Sequence, residues 1–461
     1  MWCGIRPPTR RRPMADLFID YLSRCSFLLQ QGKFVADVCY YYGDQGFNFV
    51  PPKHIDPNLG YGYDYDVANA DVLLNRMRTE GNNIVLPDGM RYQLLVLPAR
   101  EDIDVPVLRK LMALVHAGAT VVGPKPTRAN GLHNMAERDA TVRKLAEELW
   151  GECDGETVFE HRYGSGKVVW GIPLREILHQ RGSRPDFISA TYPPEQFKEH
   201  IDYIHRRTDD ADIYFIVNKD DTYETIYPRF RVAGKVPQIW DPGTGAASDI
   251  SGCVSTPDTI QFPLTLPPKG SVFVVFREPA RSYSSSEDRM TRSTHKLNLA
   301  PWTVMFPYNG NTVTGTFEAL IPWPKHENPH IRNFSGIAQY GTRFELPDFA
   351  FNALTTLKLD LGDLWCVARV TLNGEDLGVV WKPPYQVNIT ETARQGQNDL
   401  RVEVANTWAN RLVGDAQFPP EERTTNTNID FSGTVRRPWG DIPLRDAGLF
   451  GPVTLVVSAA P

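Results

Sequence analysis

The stretch from Leu357 to Asp415, LKLDLGDLWCVARVTLNGEDLGVVWKPPYQVNITETARQGQNDLRVEVANTWANRLVGD, sets strands and turns in close succession. In LKLDL the apolar Leu357, Leu359 and Leu361 alternate with Lys358 and Asp360. In DLRVEVAN, Leu400, Val402 and Val404 alternate with Arg401 and Glu403. A period of two is the pattern of strands with one buried face. Between these runs Ala368, Val370 and Leu372 lead into Asn373-Gly374, a dipeptide that tolerates the positive φ angles of a two-residue hairpin turn. The segment predicts a β-sandwich with aromatic residues in and beside its loops.

Moving upstream, ARSYSSSEDRMTRSTHK is Ser-rich and nearly free of apolar residues, which predicts an exposed linker over 281–296. Before it, DIYFIVN, YETIYPRFRV, KVPQIWDP, IQFPLTL and SVFVVF are short strand-like runs bounded by Pro, Gly and Asp, which predict a small β-sandwich over 191–280. Further upstream strands alternate with helices. VADVCYYY and QLLVLP read as buried strands, and a helix is expected to begin near Val67. The stripe Val107, Leu108, Leu111, Leu114 and Val115 is closed by Gly118 before the strand ATVVG. TVRKLAEELWG reads as a helix and FEHRYGSGKVVWG as a hairpin, and the alternation implies an open α/β domain with a parallel sheet. At the start, Phe18, Tyr21, Leu22, Cys25, Leu28 and Leu29 fall at helical spacing between Pro13 and Gly32, predicting a helix over 15–31.

The 357–415 segment, with FSGIAQYGTRFELP (334–347) and GLFGPVTLVV (448–457), resembles the sugar-binding-like sandwich of family 2 glycoside hydrolases. It resembles more closely the C-terminal sandwich of family 106, the bacterial α-L-rhamnosidases. The likeness continues through DYLSRCSFLLQQGKFVADVCYYYG (20–43), GYDYDVANADVLLNRM (62–77) and LPDGMRYQLLVLP (86–98), nearly the whole chain from about Ala15. It implies a multidomain α/β plus all-β chain: a helical remnant of a barrel end over 1–32 and an amidotransferase-like open α/β domain over 33–190. The small β-sandwich and linker follow, and then a jelly-roll, galactose-binding-like β-sandwich over 297–461. The α/β domain shows no nucleophile elbow, since Cys39 lies in a strand, and it reads as structural.

Length and composition agree with several soluble domains. At roughly 100–200 residues per domain, 461 residues predict two to four. The formal net charge of −6 gives no general attraction to nucleic acid or to an anionic membrane, and a neutral carbohydrate partner fits it. Cys3, Cys25, Cys39, Cys153, Cys253 and Cys366 form no C-x-x-C motif, so buried free thiols are expected. The start, MWCGIRPPTRRRP, has no apolar run behind its arginines, and nowhere do about 18 apolar residues run together. As written, the chain reads as cytoplasmic, whereas relatives in the family are periplasmic or secreted. Faces that meet a barrel in the family should be apolar, which predicts self-association as a homo-oligomer.

Inverting glycoside hydrolysis requires two carboxyl groups flanking the scissile bond, one acid and one base. The resemblance implies that these are glutamates of an N-terminal (β/α) barrel with a calcium ion nearby. Neither glutamate maps onto this sequence, so the usual catalytic pair is expected to be missing and no calcium ligand is assigned. Among the residues present, the candidate catalytic acids are Asp64 and Asp66, with Tyr61, Tyr63 and Tyr65 around them. The competing reading makes them a helix N-cap and its neighbours.

Candidate sugar contacts are Tyr63, Tyr65, Trp381, Tyr385, Trp408 and Trp439, whose rings suit the apolar face of a sugar, with Asn406, Asn410 and Asp415 for its hydroxyls. The competing reading has the tryptophans plugging the sandwich and the polar residues closing loops. His326, Glu327 and His330 have a metal-like i,i+4 spacing, but Pro324 and Pro329 argue against the helix such a site needs, and no metal is assigned. YGSGKVVWG fits neither nucleotide-binding glycine pattern. Three functions follow: an α-L-rhamnosidase-like hydrolase of terminal α-L-rhamnosides, a non-catalytic carbohydrate-binding or scaffold chain, and a β-galactosidase-like glycosidase.

Overall fold

The computed structural model describes residues 14–43, 50, 59–189, 198–250, 252–279, 291–297, 299, 301–308, 310–346, 355–425, 427 and 437–459. The chain divides into two compact units. One comprises Arg24–Leu266 and Ser271–Ser285; the other comprises Met1–Ser23, Pro267–Gly270 and Ser286–Pro461.

The unit that begins at Arg24 holds a six-stranded sheet in the order Tyr65–Ala68, Val38–Tyr41, Leu94–Val96, Thr120–Val122, Gly166–Val169, Glu160–Tyr163. The first five strands run parallel, and the last is the antiparallel arm of a hairpin. Alternate residues feed opposite faces. Cys39, Tyr41, Leu95 and Val121 pack on one side with Leu108, Leu111, Val115, Val142, Ala146 and Trp150 of the helices Val105–His116 and Met135–Trp150. Val38, Tyr40, Leu94, Val96 and Val122 pack on the other with Leu174, Ile177 and Leu178 of the helix Leu174–Gln180. A strand buried on both faces reads as a continuous apolar run, which is why QLLVLP shows no alternation.

One expectation in this sheet is corrected. Val67 lies in a strand, paired with Tyr40, and the helix is Ala70–Asn75. Asn69 is its N-cap, with Oδ1 accepting the Val72 amide at 3.0 Å. The side-chain cap therefore stands downstream of both aspartates, and the residues before it stay extended because they pair with Val38–Tyr41.

In the same unit an antiparallel sheet runs Lys33–Phe34, Ile201–Arg207, Asp212–Asn218, Ser271–Pro279, Lys235–Trp240, Ala247–Asp249. A four-stranded sheet of Phe187–Ile188, Arg229–Phe230, Ile260–Gln261 and Val254–Ser255 accompanies it. Tyr203, Tyr214, Ile216, Val274 and Phe276 of the larger sheet meet Phe187, Phe230, Ile260 and Phe262, the Phe230 and Phe262 rings stacking at 5.3 Å.

The second unit is built on a six-stranded sheet, Asn311–Phe317, Trp302–Tyr308, Ile337–Leu346, Gly396–Ala405, Val367–Leu372, Glu375–Val380. A four-stranded sheet, Thr291–Lys296, Thr454–Ala459, Thr355–Asp360, Gln386–Asn388, closes the same core. Leu357, Leu359, Ala368, Val370, Leu372, Leu400, Val402 and Val404 all point into that core, as their alternation requires. The register Ala368↔Val404, Val370↔Val402, Leu372↔Leu400 follows. Asn373 and Gly374 form the hairpin turn with φ of 53° and 89°. The expected linker differs from the structure at its end. Residues 281–290 lie outside the described set, but Thr291–Lys296 is an edge strand paired with Thr454–Ala459. Its polar composition hid it, because backbone pairing alone holds an edge strand in place.

The first helix, Asp16–Leu29, buries only Cys25 and Leu28, while Leu22 and Phe27 are exposed. Cys25, Cys39 and Cys153 are buried free thiols as the composition suggested, whereas Cys253 is exposed. Cys3 lies outside the described residues. Burial, with the Asp66 carboxylate second, pushes the Cys39 thiol up to about 12, which leaves it without thiolate character at neutral pH. Among the described residues no helix is long and apolar enough to cross a membrane.

Candidate functional site

Asp64 and Asp66 stand at the edge strand of the parallel sheet. Asp64 is 8% exposed, and its Oδ1 accepts the Tyr65 amide at 3.0 Å while its carbonyl accepts the Asp37 amide at 3.0 Å. Asp66 accepts the Val67 amide on Oδ1 at 2.8 Å and the Tyr92 hydroxyl on Oδ2 at 2.9 Å. Burial and this carboxylate hold the Tyr92 hydroxyl protonated well above the usual phenol range. Tyr63 is buried, donates its hydroxyl to the Ser183 carbonyl at 3.0 Å, and has the Arg175 guanidinium 5.2 Å from its ring centre. Tyr65 meets Tyr40 edge-on at 5.2 Å. The aspartates, with Tyr63 and Tyr65, thus have protein partners that brace the strand.

A second polar assembly nearby was not singled out by the sequence. Ser183 Oγ and Asp37 Oδ1 both accept from Gln93 Nε2, at 2.7 and 2.9 Å. Arg231 grips Asp37 with two bonds of 2.9 and 3.1 Å and reaches Asp186 at 3.3 Å. His205, fully buried, sits between Asp186 at 2.9 Å on Nδ1 and Asp212 at 3.1 Å on Nε2, its ring stacked on Tyr214 at 3.8 Å. Arg207 and Lys235 complete the row on Asp212 at 2.5 and 2.9 Å.

Burial alone would strip His205 of its proton, but the two carboxylates outweigh burial and raise its pKa, so both ring nitrogens donate. Burial likewise opposes charge on Asp186, yet His205 and Arg231 hold it below the ordinary carboxylate range. The assembly alternates acid and base with every charge answered. Because no solvent reaches His205, its work is architectural: it ties the strand Ile201–Arg207 to Asp186 and Asp212. The sequence carries a signal for it. In IDYIHRR the inward positions are Ile201, Tyr203 and His205, so the histidine occupies a core place that only paired acids make tolerable.

In the second unit three polar candidates are buried and spent on loop closure. Asn406 accepts the Gly336 amide at 3.0 Å and donates to the Phe334 carbonyl at 2.9 Å. Asn410 bonds both ways with the Arg445 backbone, at 2.7 and 2.8 Å. Asp415 accepts the Thr424 and Thr425 amides at 3.0 and 2.7 Å and the Arg411 guanidinium at 3.1 Å. Trp381 is met edge-on by Phe18 and Tyr21, each at 5.1 Å, and Lys382 lies 5.6 Å from its ring centre. Tyr385 packs partly buried against the sandwich core, and its carbonyl accepts the Leu361 amide at 2.9 Å. Trp439 opens the short turn Trp439–Asp441.

Trp408 remains 39% exposed, and Trp365, passed over in the sequence, is 45% exposed. These two emerge at the same end of the sheet, because Val367 pairs with Ala405 and the chain runs backward to Trp365 and forward to Trp408. The alternation in DLW, with Leu364 buried and Asp363 and Trp365 out, was the available signal.

Among the described residues one group, His200, Asp220 and Glu224, brings ligand atoms within 4.8 Å of one another. Glu224 already carries the Lys198 ammonium, and calcium requires six to eight oxygens. His326 follows the 3-10 turn Trp323–Lys325 and its Nδ1 accepts the Asn328 amide at 3.0 Å, whereas His330 lies in the short helix Pro329–Arg332, so the two imidazoles do not share one helix.

Comparison with known proteins identifies the lineage. Residues 10–252 match the family described as alpha-L-rhamnosidase, glycoside hydrolase family 106. The rhamnosidase structure from Novosphingobium sp. PP1Y is 33% identical with a TM-score of 0.75, covering 96% of this chain and 41% of that one. A protein of Formosa agariphila named putative beta-glucuronidase is 23% identical, covering 95% of this chain and 57% of its own length. The chain thus spans less than two thirds of either relative.

Proposed function

Since this chain belongs to the α-L-rhamnosidase family, we propose that it serves the hydrolysis of terminal α-L-rhamnosides, with its own residues supplying support and sugar contact rather than the acid and base. The observation that carries this reading is the family match over residues 10–252. The organisation that goes with it is a barrel-end helix to residue 32, an amidotransferase-like layer over 33–190, a small sandwich over 191–280 and a jelly-roll sandwich over 297–461. Sugar contact falls to the exposed Trp408 and Trp365, whose indoles suit a pyranose face. Asp64 and Asp66 are the candidate carboxylates for an intrinsic hydrolytic activity.

The non-catalytic reading is favoured by one observation: Asp64, Asp66, Asn406, Asn410 and Asp415 all hold hydrogen bonds within the protein. Turnover of an aryl α-L-rhamnoside separates the cases. Turnover lost in Asp64→Asn or Asp66→Asn, with the fold intact by circular dichroism, assigns hydrolysis to this chain. Binding of methyl α-L-rhamnoside without turnover supports the reading proposed here. Turnover of an aryl β-galactoside alone, or neither binding nor turnover of any rhamnoside, overturns it.

A further inference from the structure

The parallel sheet carries a groove of about 930 Å³ along the edge where its strands end. Residues 99 and 100 follow the strand Leu94–Val96, residues 124–127 follow Thr120–Val122, and Trp170 follows Gly166–Val169; all of them line it. Arg143 and Glu147 of the helix Met135–Trp150 also line it. Ligands of open α/β sheets bind outside the carboxyl ends of the strands, and the volume falls within the range of about 300–1,000 Å³ for small-molecule clefts.

The lining specifies the chemistry. Trp170 rests on Gly155, where an added Cβ would lie 2.6 Å from the indole, so the ring is fixed from one side while it also lines the groove. The cations Arg100, Lys125 and Arg143 line it, but Lys125 is held by Glu147 at 2.5 Å and by the Gly151 carbonyl at 2.8 Å, Arg100 by Asp102 at 3.0 Å, and Arg143 reaches the Thr127 carbonyl at 3.5 Å. Glu101, Glu152 and Asp154 add further negative charge, so a phosphate or polycarboxylate meets as much repulsion as attraction. A neutral ligand with one apolar face for the indole, and hydroxyls that both donate and accept, suits every one of these groups.

We propose that this groove is a carbohydrate-binding site for neutral pyranosides, built on the indole of Trp170 and the polar side chains of Arg143 and Glu152. The choice of sugar probes rests on the glycoside hydrolase reading above; the groove itself does not. Fluorine NMR of the chain carrying 5-fluorotryptophan tests it, with Trp170→Phe assigning the Trp170 signal. Methyl α-L-rhamnopyranoside, methyl β-D-galactopyranoside and sodium phosphate are titrated separately. At least one glycoside is expected to move the Trp170 signal saturably, and the double variant Arg143→Ala, Glu152→Ala, altered only at exposed positions, to bind it at least fivefold more weakly. No response to either glycoside, a response to phosphate alone, or undiminished binding by the double variant overturns the proposal. The Trp408 signal and the turnover assay report the function proposed above independently, so the failure of one is distinguishable from the failure of the other.

Discussion

Tyr340 illustrates how single residues hold the second unit. Its hydroxyl lies 2.5 Å from the Trp323 indole nitrogen and 3.2 Å from the Leu449 amide, and accepts from both in a fully buried setting. Burial pushes the phenol up to about 12, so it stays a neutral hydroxyl across the working pH range. Tyr340→Phe leaves two buried donors without an acceptor and should cost about 2 kcal/mol, read from urea unfolding; an unchanged midpoint would show that the hydroxyl is dispensable. Gly374 poses the opposite problem. Nothing lies within 4 Å of an added Cβ, but φ is +89°, so Gly374→Ala should cost about 1 kcal/mol through the backbone alone. Substituting Ala at Gly341, which has no positive φ in the same sheet, gives the control for that thermal-melt comparison. Asn-Gly announced this turn in the sequence. Tyr340 was not distinguishable from any other inward strand residue, because its partners lie 17 and 109 positions away.

At the scale of elements, the ion row from Asp37 to Lys235 fixes the strands Ile201–Arg207 and Asp212–Asn218 to the segment around Asp186. Because the folded His205 titrates above its unfolded value of about 6.5, its contribution is full below that pH and is lost as pH rises through the folded pKa. Asp186 is depressed, so its contribution is present above about pH 3.9 and disappears as pH falls through the folded value. Stability of this unit should therefore decline on both sides of a weakly acidic window. His205→Gln should flatten the alkaline side in pH-dependent urea melts; a slope between pH 6.5 and 8.5 equal to that of the parent would refute the assignment. Arg231→Met leaves Asp37 and Asp186 short of their shared cation and should cost about 3–5 kcal/mol. The strands themselves were legible from alternation, and their ion row was not, since charge patterns along the chain do not reveal which acids converge on one imidazole.

For the molecule as a whole, two units with separate cores imply two cooperative unfolding events. In calorimetry, Tyr340→Phe should lower one transition and Arg231→Met the other. A single transition shifted equally by both variants would contradict the division. Family membership establishes a glycoside hydrolase lineage, while the chain covers 41% of the Novosphingobium rhamnosidase. A ligand can reach only side chains that stay accessible. In the second unit the exposed indoles of Trp408 and Trp365 carry the proposed sugar contact, and in the first the groove at the strand ends is the proposed site.

The sequence by itself determined the α/β layer, the strand-only blocks, the Asn-Gly hairpin and the lineage, because each of these is written in local periodicity, turn chemistry or an ordered run of motifs. Only the tertiary structure decided which polar residues are free to act. Asn406, Asn410 and Asp415 look like sugar ligands in a loop, but their hydrogen bonds go to Gly336, Phe334, Arg445 and Thr425, and Trp381 is met by Phe18 and Tyr21 from the start of the chain. A side chain's hydrogen-bonding capacity is a property of its type, whereas the partner that consumes it is set by long-range packing, and a linear pattern carries no record of that choice.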